Sequence, residues 1–214
     1  MKAPGNLFII AAPSGTGKTS LVKALVESIP DIMVSISHTT RAKRAAEVDG
    51  VNYYFISESQ FNSMREKGEF LEHAVVFNQY YGTSHQWVKE TLSKGIDVIL
   101  EIDWQGSQQI QQLFPDCHSI FILPPSLADL EERLKKRNQD KPEIIRERIH
   151  NAEETLQHIH EFKYLVINAD FEHAIADLTY IILANRLLQK KQSIKFSKLL
   201  NDFSKLEEKN TSEK

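Results

Sequence analysis

Compact apolar runs recur along the chain at Leu7–Ile10, Ile96–Ile102, Ser119–Leu123 and Tyr164–Ile167. Between them lie turn residues and stretches in which apolar side chains return every three or four positions. Runs this short with little alternation read as strands covered on both faces, and the periodic stretches read as the covering helices. From Thr19 to Ser28, for example, Leu21, Val22, Leu25 and Val26 form one helical stripe. Met33-Val34-Ser35-Ile36 adds a fifth strand. The pattern predicts an α/β fold on a parallel sheet, with no internal repeat and no low-complexity stretch.

Two segments break this rhythm. Residues 38–87 carry aromatic, half-polar strands such as Tyr53–Ile56 and Phe70–Phe77, with Ser57 and Gln60 spaced as a capping box for a helix between them. They read as a small mixed α/β lobe inserted into the core. Residues 126–159 form a helical excursion announced by Pro124-Pro125 and by Ser126 with Asp129 at N-cap spacing. Leu127, Leu130 and Leu134 stripe its first helix, and the excursion reads as a mobile cover. The core is then 1–37, 88–125 and 160–214. Beyond Ser193, Phe196, Leu199, Leu200 and Phe203 predict a helix that frays after Leu206, where apolar residues give out.

Composition narrows the function classes. A chain of 214 residues suits one enzyme-sized core, and 41% hydrophobic with 26% charged residues is a globular balance rather than a disordered or membrane one. The N-terminus lacks a secretory apolar stretch and no run is long enough to span a bilayer, so a cytoplasmic location is expected. The single cysteine, Cys117, excludes an internal disulfide and a cysteine-based zinc site. A net charge of −3 gives no global field for nucleic acid, so phosphate handling must come from local clusters. The sequence leaves open whether the chain is a monomer or a homo-oligomer.

The strongest local cluster lies between the first strand and the first helix: Ala12-Pro13-Ser14-Gly15-Thr16-Gly17-Lys18-Thr19. Glycines at 15 and 17 let backbone N–H groups turn toward phosphate oxygens, and the helix that follows offers its positive end. Lys18 suits the β and γ phosphates of a nucleoside triphosphate, and the Thr19 hydroxyl suits Mg²⁺. Ala12 stands where the general P-loop pattern has its first glycine.

A P-loop names a phosphoryl donor, not an acceptor. In the inserted lobe, Arg41 and Arg44 sit three residues apart among hydroxyls, an arrangement that suits a phosphate monoester because guanidinium forks pair two oxygens at once. The strand Val98–Asp103 ends in two acids, Glu101 and Asp103, which strand alternation turns to one side, where either could hold Mg²⁺ through water.

Taken in order, the P-loop, Ser37-His38-Thr39-Thr40-Arg41 with Arg44, Glu47-Val48-Asp49-Gly50 with Tyr53, Phe70-Leu71-Glu72-His73-Ala74, Tyr80-Tyr81-Gly82-Thr83 and Ile102-Asp103-Trp104-Gln105-Gly106 resemble the guanylate kinase family from about Leu7 to Leu188. The resemblance implies a P-loop NTPase core with a GMP-binding lobe at 38–87 and a lid at 126–159, transferring phosphate from ATP to GMP with Mg²⁺. It implies that Arg41, Arg44, Tyr53 and Tyr81 bind the GMP phosphate and that Ser37, Glu72, Thr83 and Asp103 surround the guanine. Chemistry supports Glu72 separately: guanine presents two adjacent N–H donors that a carboxylate accepts together, whereas adenine presents an acceptor there. Arg133, Arg137 and Arg148 match the family's lid arginines and, with Lys18, Arg41 and Arg44, form the expected catalytic cations. The chain departs from the family pattern at Ala12, Ala46, Glu101 and Asn138. Two rival readings are a non-catalytic guanylate-kinase-like binding module and a kinase for another nucleoside monophosphate; the intact Lys18-Thr19 pair opposes the first and Glu72 the second.

Overall fold

The computed structural model describes residues 3–136 and 142–212. Its elements run β1 (Leu7–Ala11), α1 (Lys18–Ser28), β2 (Ile32–Val34), β3 (His38–Thr39), β4 (Tyr54–Phe55), α2 (Glu58–Glu66), β5 (Phe70–Val76), β6 (Gln79–Ser84), α3 (His85–Ser93), β7 (Asp97–Glu101), α4 (Trp104–Leu113) and β8 (His118–Leu123). There follow α5 (Leu127–Lys136), α6 (Pro142–Leu156), a 3-10 turn at Ile159–Glu161, β9 (Tyr164–Ile167), α7 (Phe171–Arg186), α8 (Gln189–Lys195) and α9 (Ser197–Ser212).

Five parallel strands in the order β2-β7-β1-β8-β9 make the main sheet. Every residue of β1 is buried, as its unbroken apolar run requires. Its side chains divide by parity. Phe8 and Ile10 join Leu21, Leu25, Leu178 and Ile182 of α1 and α7 on one face, whereas Leu7, Ile9 and Ala11 join Val88 and Ile110 of α3 and α4 on the other. Each fully buried side chain of this kind contributes about 1.5–3 kcal/mol. The alternation makes both faces apolar, which is why no polar/apolar rhythm marks this strand. At the far end of the sheet, Asp97 accepts from the Asn6 backbone N–H at 2.6 Å and from Arg186 Nε at 2.7 Å, tying β1, β7 and α7 together.

A second sheet, in the order β4-β3-β6-β5, comes from the segment read as an inserted lobe. The Ser57–Gln60 capping box is present and starts α2, whose buried Phe61 stacks on Phe70 and Tyr80 beneath that sheet. The β5–β6 hairpin turns through Phe77 and Asn78, both with positive φ (50° and 56°), as a tight hairpin turn demands. The Ser126–Asp129 cap likewise forms, with the Asp129 N–H donating to Ser126 Oγ at 3.0 Å. Leu130 and Leu134 pack with Ala152 and Ile149 of α6 in a satellite core.

Three expectations shift. β2 starts one residue before the Met33–Ile36 run and ends two residues before that run does, although the Ser35 N–H still donates to the Ile99 carbonyl. Asp103 is not a strand residue: β7 ends at Glu101, and Asp103 is the N-cap of α4. The tail helix continues to Ser212, past the point where the apolar residues stop. No described helix is long and apolar enough to cross a membrane.

Candidate active site

Central strand β1 delivers the chain into the phosphate-binding loop at the C-terminal edge of the sheet, where open α/β folds put their ligands. Gly15 and Gly17 have φ of 94° and 88°, a left-handed backbone that other residues avoid. Gly17 caps α1 without any side-chain bond, and no acidic residue occupies the first turn, so the positive helix end faces the loop. Thr16 is fully buried and its Oγ1 donates to the Pro13 carbonyl at 3.0 Å, closing the loop from within; Pro13 is buried and Ser14 half-buried. Ala12 has no left-handed φ, and it packs on the main core, so its methyl replaces a glycine without strain.

The structure adds Asn168, directly after β9. Its Nδ2 donates to the Thr16 carbonyl at 2.6 Å, its backbone N–H donates to the Leu123 carbonyl, and its own carbonyl accepts from Arg133 Nη2 at 3.1 Å. One residue thus joins the P-loop, the end of β8 and the helix α5. The same helix rests on the loop: a Cβ at Gly15 would come within 3.0 Å of Leu134 and 3.2 Å of Leu130. Arg148 is half-buried on α6, and Arg137 and Asn138 lie outside the described residues. Lys135 pairs with Glu131 on the exposed side of α5, an ordinary surface contact.

The two acids at the end of β7 take separate surroundings. Glu101 Oε1 accepts from the Thr19 hydroxyl at 2.8 Å, beside half-buried Lys18. Asp103 Oδ1 accepts from the Gly106 N–H at 2.9 Å, and burial holds its carboxyl above the usual aspartate range despite that bond and the Lys18 charge. Glu101 therefore faces the donor loop, whereas Asp103 lies within electrostatic reach of both Lys18 and Glu72.

Within that lobe Glu72 and Thr83 are directly paired across β5 and β6, and the Thr83 Oγ1 donates to Glu72 Oε1 at 2.5 Å. Glu72 is only 3% exposed. Burial pushes its pKa up to about 7, against the Thr83 hydrogen bond, and the Asp103 charge adds to the rise. Ser37 is buried just before β3, with its carbonyl accepting the Tyr54 N–H.

Farther out, Arg41 forms a two-pronged pair with Glu47 at 2.7 and 3.1 Å and lies over the rings of Tyr53 and Phe55. Glu47 also accepts from the Arg44 backbone N–H at 2.8 Å, so one carboxylate organises the whole 41–47 loop and is itself held below the usual range, chiefly by Arg41. The Arg44 side chain is exposed, as is Ala46, whose backbone has no left-handed φ. Tyr53 and Tyr81 meet edge to face at 5.9 Å, and the Arg41 guanidinium is held above its usual range, chiefly by Glu47 and to a lesser extent by Tyr81. Burial, then the nearby Glu101 charge, pushes the Tyr53 phenol up to about 12, so it stays a hydrogen-bond donor. The Glu101 charge thus reaches the arginine–tyrosine cluster from the edge of the core. Among the described residues, Thr19 and Glu101 meet at the phosphate loop, Glu72 and Thr83 meet within the second sheet, and Arg41 gathers with Tyr53, whereas the Arg44 side chain is exposed and Arg133 bonds Asn168.

The guanylate kinase family model matches residues 4–185. The chain belongs to the guanylate kinase family. It is 56% identical over 196 residues to the guanylate kinase of Pseudomonas fluorescens Pf0-1, covering 92% of this chain and 95% of that protein. It is 53% identical over 195 residues to the guanylate kinase of Coxiella burnetii RSA 493, covering 91% and 95%. Its fold resembles the crystal structure of guanylate kinase from Anaplasma phagocytophilum, with a TM-score of 0.75, 28% identity and coverage of 88% and 89%. The family's fold, a parallel-sheet core with an additional mixed sheet, is the one observed here. Residues not singled out from the sequence are Asn168 and Glu47; Asn168 carries no motif, whereas Glu47 stands three residues after Arg44, a spacing that brought it within a family motif but signalled no ion pair.

Proposed function

We propose that this chain transfers the γ-phosphoryl group of ATP to GMP, giving ADP and GDP, and that it does so in the cytoplasm. The observation that carries the acceptor assignment is the buried Glu72 carboxylate, held by Thr83 and flanked by Asp103. A carboxylate there receives the adjacent N1–H and N2–H of guanine, whereas adenine would leave a buried acceptor facing its N1 lone pair.

The residues divide by role. The amides of loop 12–17 and the α1 terminus receive the ATP phosphates, with Lys18 reaching the β and γ groups. Arg41, Arg44, Tyr53 and Tyr81 hold the GMP phosphate in line with the γ-phosphorus, while Ser37, Thr83 and Asp103 complete the base pocket with Glu72. The Arg41–Glu47 pair keeps that guanidinium extended before the acceptor arrives, which lowers the ordering cost of binding. Arg133, already bonded to the Asn168 carbonyl beside the P-loop, acts with Arg137 and Arg148 of the lid at 126–159 to gather positive charge around the equatorial oxygens, and the lid keeps water out. No general base is needed, because the attacking phosphate oxygen is already anionic near neutral pH.

The Thr19 hydroxyl and the Glu101 carboxylate are hard oxygen donors suited to Mg²⁺, and their 2.8 Å bond makes Glu101 a better candidate than Asp103. Held there, the ion would supply charge neutralisation to the ATP phosphates. Glutamate in place of the aspartate usual in the family leaves this charge intact, since the longer side chain still meets Thr19.

The deciding experiment is ADP release with GMP, AMP, CMP and UMP as acceptors in the presence of ATP and Mg²⁺. GMP should be used far faster than the other three. A preference for AMP, or no turnover above an enzyme-free control, would overturn the assignment.

A further inference from the structure

Helix α4 is tied to the edge strand β5 of the second sheet by side-chain bonds to its backbone. Gln109 exchanges two hydrogen bonds with the His73 backbone, Nε2 to the carbonyl at 2.8 Å and Oε1 from the N–H at 3.2 Å, much as a neighbouring strand would. One helical turn earlier, Gln105 Nε2 donates to the Val75 carbonyl at 3.3 Å. Between these anchors the helix presents Gly106 to the Glu72 side chain. A Cβ on Gly106 would overlap the Glu72 carboxylate, standing 3.1 Å from its carbon and 3.4 Å from Ile102 Cβ. Gly106 is a helical residue without positive φ, so backbone conformation does not call for glycine there. Glycine inside a helix is in fact less favourable than alanine by about 0.5–1 kcal/mol. Space for the carboxylate is what the glycine provides.

We infer that Gly106 is a specificity-determining position: by lacking a side chain it lets the Glu72 carboxylate seat against α4 in register with Thr83, and so sets the preference for guanine. This rests on the reading of Glu72 as the guanine acceptor. The same residue donates its N–H to half-buried Asp103, so one position touches both acids. A methyl group at 106 leaves two outcomes. Either Glu72 swings away from the Thr83 hydroxyl, or α4 lifts from β5 and its glutamine bonds lengthen; both spoil simultaneous acceptance of two parallel N–H groups, which depends on distance and angle.

The test compares wild type, Gly106→Ala, Glu72→Asp and the double variant, with KM and kcat for GMP, AMP and ATP and a thermal melt for each. Gly106→Ala should raise the GMP KM at least about tenfold, or about 1.4 kcal/mol, and lower the GMP-to-AMP preference, with ATP KM changed by less than about twofold. In the Glu72→Asp background the shorter side chain withdraws from the added methyl, so the same alanine should cost much less, a non-additivity that a purely structural role would not give. If Gly106→Ala fails to fold, Glu72→Ala/Gly106→Ala should fold, because the overlapping carboxylate is gone. The inference is overturned by an unchanged GMP KM in Gly106→Ala, by an equal penalty in the Glu72→Asp background, or by equal unfolding in the Glu72→Ala background. A wild type that does not prefer GMP sinks the reading of Glu72 itself, and this inference with it.

Discussion

Glu72 illustrates how one side chain can serve binding at the expense of stability. Its carboxyl titrates near 7 rather than 4.5, first because it is buried, with the Thr83 bond opposing and the Asp103 charge reinforcing the shift. Between those values the folded chain holds a proton that the unfolded chain has lost, so stability falls as pH rises through this window and is level above it. Glu72→Gln removes the penalty. Its melting temperature should exceed that of wild type at pH 8, by a free energy on the order of 3 kcal/mol at most, and the two should converge toward pH 4.5. Acceptor use should move the other way, with GMP KM raised about 10- to 100-fold. Ionised Glu72 is the form that accepts guanine, so wild-type affinity should also weaken as pH drops from 8 to 6. GMP's own phosphate titrates near pH 6, and guanosine as a competitive inhibitor isolates the base: its inhibition constant should track pH in wild type and stay flat in Glu72→Gln. A wild-type guanosine profile without pH dependence would show that the buried carboxylate does not meet the base. At Lys18 the expectation is simpler. Lys18→Ala should lower kcat about 10²- to 10³-fold while leaving the melting temperature close to wild type, because the side chain is only half-buried at the first turn of α1.

Among the elements, the P-loop was legible because all its physics falls within eight consecutive residues: small residues, two left-handed glycines and a helix start. The Ser57–Gln60 and Ser126–Asp129 caps were legible for the same reason. What the sequence hid is long-range or lacks a distinctive residue. Asn168 meets Thr16 across 152 positions, and an isolated asparagine after a strand carries no signal. Strand β6 follows a turn of Phe77 and Asn78 that lacks the glycine by which hairpins are usually recognised, so its residues stood out as a motif but not as a strand. The closeness of α4 to β5, which makes Gly106 meaningful, depends on two glutamines that resemble any helix surface. Asn168 provides the prediction for this scale. Asn168→Ala leaves the buried Thr16 carbonyl without its donor, costing about 1–3 kcal/mol of stability. It should also loosen the loop that meets ATP, raising ATP KM several-fold while GMP KM changes little, and Asn168→Ser should not restore it if reach rather than polarity is what matters. Equal effects on both substrates would point to general loosening instead of a clamp on the donor loop.

For the whole molecule, the proposed donor and acceptor pockets are linked electrostatically, with Tyr53 feeling the charge of Glu101 at the edge of the core. Ligands in both pockets should therefore stabilise the native state together. A ligand at about 100 times its dissociation constant adds about 2.7 kcal/mol, which for a chain of this size corresponds to about 5–10 °C in melting temperature. GMP alone and a non-transferable ATP analogue with Mg²⁺ should each give such a shift. Both together should exceed the sum if closure of the lid couples the sites. The metal separates the two pockets. EDTA should abolish most of the shift due to the ATP analogue, because the triphosphate would then face the Glu101 carboxylate without a bridging cation, and should spare the shift due to GMP, which depends on Arg41, Arg44 and Glu72. Glu101→Gln should reduce the difference between the Mg²⁺ and EDTA melts, since the repulsive charge is gone along with the candidate ligand. If chelation leaves the ATP-analogue shift intact in wild type, Thr19 and Glu101 do not form a magnesium site, and the charge between the two phosphates must be met by the arginines and Lys18 alone.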